Sequence, residues 1–483
     1  MQHNRDGEQK SYSPLGLFSL VFLLCFTTLS ANSFEDFKRT QSKSFTKYKD
    51  ERDSAFNNYL KQEWQEYLKH TDVELYEAPK PREIIPAKVE QIKSVGPRIT
   101  IEEKKDDKKS FIPKQTIIKK EIKKDVLFDF FGSKIGFNID ENLKGARYFP
   151  QNKKGILNFF NVVASSEYEN IISSIKSISK RLDLNDWGVY QLVIKLSKNI
   201  YPNQDDRNLF SWFVFNKLGY SVKVALSQRH TVLLFYSKKV IYATPNYSFS
   251  NKKYYVVSNY AKGSVGKLYS YEQNYPDAQK DLDLSMKKIP NFALDIKQKE
   301  LSFKDYGKTY KIDFKYNKNL IDFMSTYPQG DYKTYFNTPL DDITYNSILK
   351  GFKKYINGKK ATDAINFMLH FVQKSFKYER DIQQFSREKV MFAEETLYFN
   401  SSDCEDRAIL FSYLVKKILG IGVVGIKYKD HMATALYIPI KGDSVRIAQK
   451  KFIIADPTYI NANVGQSMQK YKSIRPESFI VVK

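Results

Sequence analysis

At 483 residues the chain is long enough for several domains with sizeable cores. Its formal net charge of +24 would suit an acidic partner, but the 78 Lys and Arg are spread through the chain. No nucleic-acid motif, Walker-type glycine loop or dinucleotide fingerprint accompanies them, so nucleic acid is not an expected partner.

In chain order, residues 1–12 are polar and carry Arg5 and Lys10, and Ser13–Ala31 is apolar. Residues 1–33 therefore have the layout of a secretory signal, with an apolar core short of the ~20 residues of a membrane-spanning helix. Leu24 before Cys25 is the wrong residue for a lipoprotein signal. The body is expected in the periplasm or cell envelope, held at the inner membrane by residues 13–31 if the signal is not cut. Cys404 is then the one thiol left in the exported body, and no intramolecular disulfide can form.

Residues 34–76 carry an 11-residue repeat: Phe34, Phe45, Phe56 and Tyr67 form one row, and Phe37, Tyr48 and Tyr59 another. Eleven residues fill almost three helical turns, so the expectation is a long amphipathic helix with an aromatic stripe. Two readings of the stripe stay open. It is a surface for a membrane, a helix partner or a second copy through residues 34–70, or it packs on its own body. Residues 77–125 read as a Pro- and Lys-rich linker, extended around Pro79, Pro81 and Pro86, that would tether the body away from the membrane.

From Leu127 the chain runs twice. Phe131-Gly132, Phe149-Pro150-Gln151 and Phe159-Phe160-Asn161 meet Tyr306-Gly307, Tyr327-Pro328-Gln329 and Tyr335-Phe336-Asn337. Asp186–Tyr201 resembles Asp363–Tyr378, and Leu209–Tyr236 lies on Leu410–Tyr437 without a gap, His230 on His431. Val240–Tyr247 is set against Phe452–Tyr459. The copies are 126–260 and 301–483, with 261–300 as connector. The first has Asn203 or Gln204 in place of Cys404 and Thr244 in place of Asp456, so it is read as non-catalytic.

In the second copy Cys404 follows a Ser-Ser-Asp cluster that can cap a helix, and Leu410, Phe411, Leu414, Val415 and Ile418 recur at helical spacing up to Gly420. A sulfur at a helix N-terminus is expected to ionise readily. His431 and Asp456 follow on successive predicted strands, which supplies a nucleophile, a base and a group to orient the base. Gln383, Gln384 and Tyr398 are candidates to hold the oxyanion. Glu405 and Asp406 are expected to face away from the sulfur or to pair with Arg407, and Glu394-Glu395 to be a solvated helix end. No Cys/His cluster has metal spacing, and neither a metal nor a cofactor is expected.

The pieces Asp403-Cys-Glu-Asp-Arg-Ala408, Asp430-His-Met-Ala-Thr-Ala-Leu436 and Ala455-Asp-Pro-Thr-Tyr459 resemble the transglutaminase-like superfamily, whose core is papain-like. The resemblance, carried by the last third of the chain, implies a papain-like α+β core; with the internal repeat and the 11-residue spacing, the expected fold is α+β in two tandem transglutaminase-like units, the first non-catalytic, preceded by the amphipathic helix. The resemblance also implies acyl transfer through a thioester on Cys404, acting on peptide or glutamine amides. Hydrolysis, as in a protease or deamidase, is favoured over cross-linking, because no amine-binding motif is visible. The rival expectation is a non-enzymatic envelope scaffold made of two binding modules.

Overall fold

A computed structural model describes residues 51–62, 64–68, 79, 84–102, 124–257 and 266–483 of the protein. The apolar run at 13–31, the aromatic rows before residue 51, and His70 lie outside the described residues. No helix among the described residues is long and apolar enough to cross a membrane. The chain divides into two compact units, Met1–Ala55 and Phe56–Lys483. In the first, residues 51–55 are helical.

The second unit is mixed α and β. It opens on helical residues 56–60, whose Phe56 and Leu60 are fully buried at the four-residue spacing of one helical face. Phe56 packs between Phe160, Trp212, Tyr271 and Tyr275. The helix does not continue to residue 76 as its repeat predicts. The Trp64 indole donates to the Leu60 carbonyl, and Tyr67 falls in a strand, Gln65–Tyr67, paired with Leu268–Ser270. Aromatic spacing alone does not separate a helix from a turn and an edge strand once the rings have a core to enter. The described end of the stripe therefore packs on its own body.

Two antiparallel sheets dominate. The first runs in the order Gln65–Tyr67, Leu268–Ser270, Val222–Ser227, His230–Tyr236, Lys252–Tyr255, Asn246–Phe249. The second runs Ser478–Val481, Val423–Tyr428, His431–Leu436, Lys450–Ala455, Ser444–Ile447. Apart from the extra edge strand Gln65–Tyr67, the orders correspond strand for strand. The central hairpins close on matching pairs, Ser227 with His230 and Tyr428 with His431. Each hairpin packs on a helix, Gln204–Lys217 or Cys404–Leu419, and that helix lies on an earlier long helix, Asp186–Ile200 or Ala361–Ser375.

Both faces of each hairpin are buried, so its strands read as mostly apolar, broken by Lys223, Thr231, Lys427 and Thr434, rather than as a clean alternation. One face enters a large core shared by the helices. The other builds a small cluster, Ala225, Val232 and Leu234 in the first sheet and Ile426, Ala433 and Ala435 in the second. These satellite positions are displaced by one constant number of residues.

Three expectations need correction. Val240–Tyr247 does not form the strand beside the His230 strand. That place belongs to Lys252–Tyr255, while Ile241 bridges Gly330 and Thr244 bonds its own backbone at Tyr242. The Ala-Thr-Pro likeness is local, whereas the neighbour strand is set by the hairpin that follows it. Leu268–Ser270 lies in the first sheet, so that half of the fold reaches beyond residue 260 into the expected connector. Within the expected linker, residues 84–102 are docked on the second half, with Ile84, Ile92 and Ile99 partly covered and Ile101 buried. Over residues 84–102 the stretch is not a free tether; the rest of the expected linker, apart from residues 79, 124 and 125, lies outside the described residues.

Candidate functional site

Cys404 is the first residue of the helix Cys404–Leu419, with Asp403 as its N-cap and Gly420 ending it in the left-handed conformation at φ 67°. The sulfur is fully buried. The Met432 N–H, on the neighbouring strand, hydrogen-bonds to it. His431, one residue earlier on that strand, is also fully buried, and its Nε2 lies 2.7 Å from Asp456 Oδ2. Asp456 follows the adjacent strand Lys450–Ala455, and its other oxygen accepts the Thr458 and Tyr459 N–H groups. Gln373 on the preceding helix donates to the Asp456 carbonyl at 3.0 Å.

A carboxylate only accepts, so Nε2 carries the proton in neutral His431 and Nδ1 presents a lone pair. That Nδ1 is buried and has no hydrogen-bond partner among the described residues. The imidazole is fixed on its other side by Tyr471, whose ring stacks 4.8 Å away. His431 and Asp456 are paired, and Cys404 is tied to the His431 strand through the Met432 N–H; no hydrogen bond joins the sulfur to His431 Nδ1.

The electrostatics differ from the expectation. Burial, the charges of Glu405 and Asp403, and a hydrogen bond from the thiol to Glu405 at 3.2 Å push the Cys404 thiol well above its usual range. A helix N-terminus offers roughly half a positive charge, which the carboxylates in the first turn and cap outweigh. Glu405 does not face away, and Asp406 accepts from Met391 and Asp403 N–H rather than from Arg407. Burial and the nearby Asp403 charge raise the Asp406 carboxyl well above the ordinary carboxylate range. The Arg407 guanidinium, buried, donates to Ser402 Oγ and to the Gln373 and Phe376 carbonyls. The buried backbone carbonyl of Pro79 is the other acceptor within reach, and the single S–H serves one of the two at a time.

Reading the sequence missed Tyr378. The short strand Lys377–Tyr378 runs parallel to Ser401–Ser402, which sets Tyr378 opposite Ser402, two residues from Cys404. Its hydroxyl is buried with no hydrogen-bond partner among the described residues. Burial and the charges of Cys404, Asp403 and Glu405 raise its pKa, and Arg407 lies 5.4 Å over its ring. The repeat alignment of Asp363–Tyr378 with Asp186–Tyr201 was the available signal, since it placed an aromatic at the end of both helices. The three named oxyanion candidates stand differently. Gln383 is exposed and accepts from Arg380 N–H. Gln384 Oε1 is buried without a partner among the described residues. Tyr398 packs on Tyr316 and Phe399.

Glu394 and Glu395 are not a solvated helix end. Both are buried: Glu395 pairs with buried Lys389 at 2.7 Å, and Glu394 accepts from Thr344 and from Asp341 N–H. Their place at the start of the helix Ala393–Tyr398 explains two adjacent acids there, and the Lys389 and Thr344 partners are too distant or too ordinary in sequence to be read. Asp381, Asp403 and Asp406 bring carboxylate oxygens within 4.8 Å of one another, a grouping absent from the Cys/His spacing considered before. His370, inside the helix Ala361–Ser375, pairs with Asp305 at 2.8 Å.

In the first half the equivalent place is closed differently. Asn203 caps the helix Gln204–Lys217, and Asp205 accepts from His230 Nδ1 at 3.0 Å and from Thr231 N–H at 2.7 Å. An acid from the helix start thus takes up the nitrogen that a nucleophile would use.

No protein-family model, curated protein or solved structure matches this chain.

Proposed function

We propose that the protein is a cysteine acyl-transfer enzyme of the transglutaminase-like kind, working on peptide or glutamine amides with Cys404, His431 and Asp456. One observation carries the reading: a fully buried His431 held by Asp456 at Nε2 whose Nδ1 has no hydrogen-bond partner among the described residues, beside a cysteine at a helix start. A buried lone pair without a donor is costly unless it has work to do. In this mechanism Nδ1 takes the thiol proton as sulfur attacks the carbonyl carbon. Because the resting thiol is neutral, proton removal accompanies attack rather than preceding it. The Tyr378 hydroxyl and the Cys404 N–H are the donors for the oxyanion. The imidazolium, stabilised by Asp456, then protonates the leaving amine, and water or an amine resolves the thioester. The test is turnover of peptide and glutamine amides: Cys404→Ala should abolish it. Unchanged turnover in that variant removes the reading.

The tandem arrangement belongs to the same proposal. Matching sheet order, matching hairpin closure and matching satellite clusters support two copies of one unit, the first without a nucleophile. The sequence alone supports export to the envelope, with residues 13–31 as signal or anchor.

A non-enzymatic envelope scaffold is the second reading. It is favoured by the complete burial of Cys404 and its raised thiol pKa. A protein that never forms a covalent adduct on Cys404 with any activated acyl donor would belong to this class.

A further inference from the structure

We propose that the surface over Cys404 binds an extended polypeptide strand and that residues 79 and 84–102 of this chain are its resident occupant, so the enzyme rests in a self-inhibited state. This rests on the acyl-transfer reading for its chemistry. The occupancy itself stands on hydrogen bonds that do not depend on it.

The contacts run from Cys404 past the loop that follows Asp456 to the start of the helix Ala361–Ser375. Pro79 presents its carbonyl to the Cys404 thiol. Ile84 packs on the small cluster that contains Tyr428 and Tyr471, the ring stacked on His431. Ala87 N–H donates to the Ile460 carbonyl at 2.8 Å, four residues past Asp456. The Glu90 carbonyl accepts from Asn463 and from Tyr306, both at 2.8 Å. Further on, Val95 is bonded through both its N–H and its carbonyl to Thr362 Oγ1, and Ile99 exchanges bonds with Lys359 and Gly358. Backbone groups carry most of these bonds, so an extended chain of another sequence meets the same donors and acceptors, as in strand addition. The substrate class that fits is therefore an extended peptide segment, not a free amino acid. The Pro79 carbonyl meets the sulfur through its oxygen, not its carbon, so it covers the nucleophile without being placed for attack.

The same contact keeps the thiol protonated, because a carbonyl oxygen can only accept. Covalent attachment gives the strap an effective concentration on the order of millimolar. A free peptide must outcompete that.

The test uses the full chain and two altered forms. In one, Ala87→Pro removes the donor to Ile460, and Gly96→Val strains a residue at φ 91° whose added Cβ would lie 2.9 Å from Ala361. In the other, residues 79–102 are deleted. Folding is checked by cooperative thermal unfolding, and the readout is the rate of iodoacetamide labelling of Cys404 at pH 8. Labelling should rise on the order of tenfold or more, the ratio set by ~1.4 kcal/mol of lost occupancy. A synthetic peptide of residues 76–102 added back should suppress it. Equal labelling of the full chain and the folded deletion form would overturn the proposal. A Cys404→Ala deletion form should still bind the peptide. If labelling responds to the strap but no amide is turned over, acyl transfer falls and the strap stands; turnover with no response to the strap gives the reverse.

Discussion

Cys404 sits where a helix favours a thiolate, yet Asp403, Glu405 and burial hold it as a thiol. The full chain should therefore alkylate slowly through neutral pH and faster only on the alkaline side. Glu405→Gln removes one charge and one acceptor and should move the rate profile to lower pH, as followed by peptide mass spectrometry. Fast labelling of the unaltered chain in mild acid would contradict this. Asp456→Asn can no longer fix the imidazole tautomer, and turnover should fall on the order of 10³-fold or more with the fold retained. Glu394 offers a separate check, because burial raises its carboxyl to about 8 from 4.5. An acid whose folded pKa lies above its unfolded value binds more protons when folded. Stability should thus fall as pH rises between those values, by up to about 1.4 kcal/mol per pH unit. Glu394→Gln should flatten that slope in denaturant titrations, and an unchanged slope would show that Glu394 is not its source.

At the scale of elements, the buried pair Lys389–Glu395 ties the segment before the helix Ala393–Tyr398 to that helix. Lys389→Ala leaves a buried carboxylate alone and should cost about 3–5 kcal/mol, whereas replacing both partners by Met and Leu should cost far less. Equal losses in the two variants would mean the charge pairing is not the cause. The elements also show how far the sequence can be read. The Cys404 helix and the two hairpins are legible because capping, spacing and apolar runs act locally. The 11-residue spacing overextends the helix at 34–76, since nothing local tells Tyr67 that a strand at Leu268–Ser270 awaits it. Matching Thr244 to Asp456 rests on a short likeness that the intervening hairpin overrules. Tyr378 and Glu394 owe their surroundings to chain far away in sequence, and the Lys389 partner of Glu395, six residues off, follows no helical or strand spacing that a pattern could reveal.

In the whole molecule, two sheets of like order carry unlike sites. The two matched histidines differ in what meets their Nδ1 atoms. Asp205 occupies His230 Nδ1, while His431 Nδ1 has no hydrogen-bond partner among the described residues. Removing His230 should leave turnover and Cys404 labelling unchanged, because its imidazole has an acid where a nucleophile would be. A loss of turnover in a folded His230→Ala protein would give the first half a part in the chemistry.

The central claim is that Cys404 carries the acyl group. Its most direct measurement is the intact mass of the strap-deleted protein after incubation with a glutamine-containing peptide and acid quench. The account predicts a hydroxylamine-labile adduct on Cys404, absent in Cys404→Ala and strongly reduced in His431→Ala. Absence of any adduct on a Cys404 that iodoacetamide labels readily, with peptide and activated ester donors alike, would contradict it.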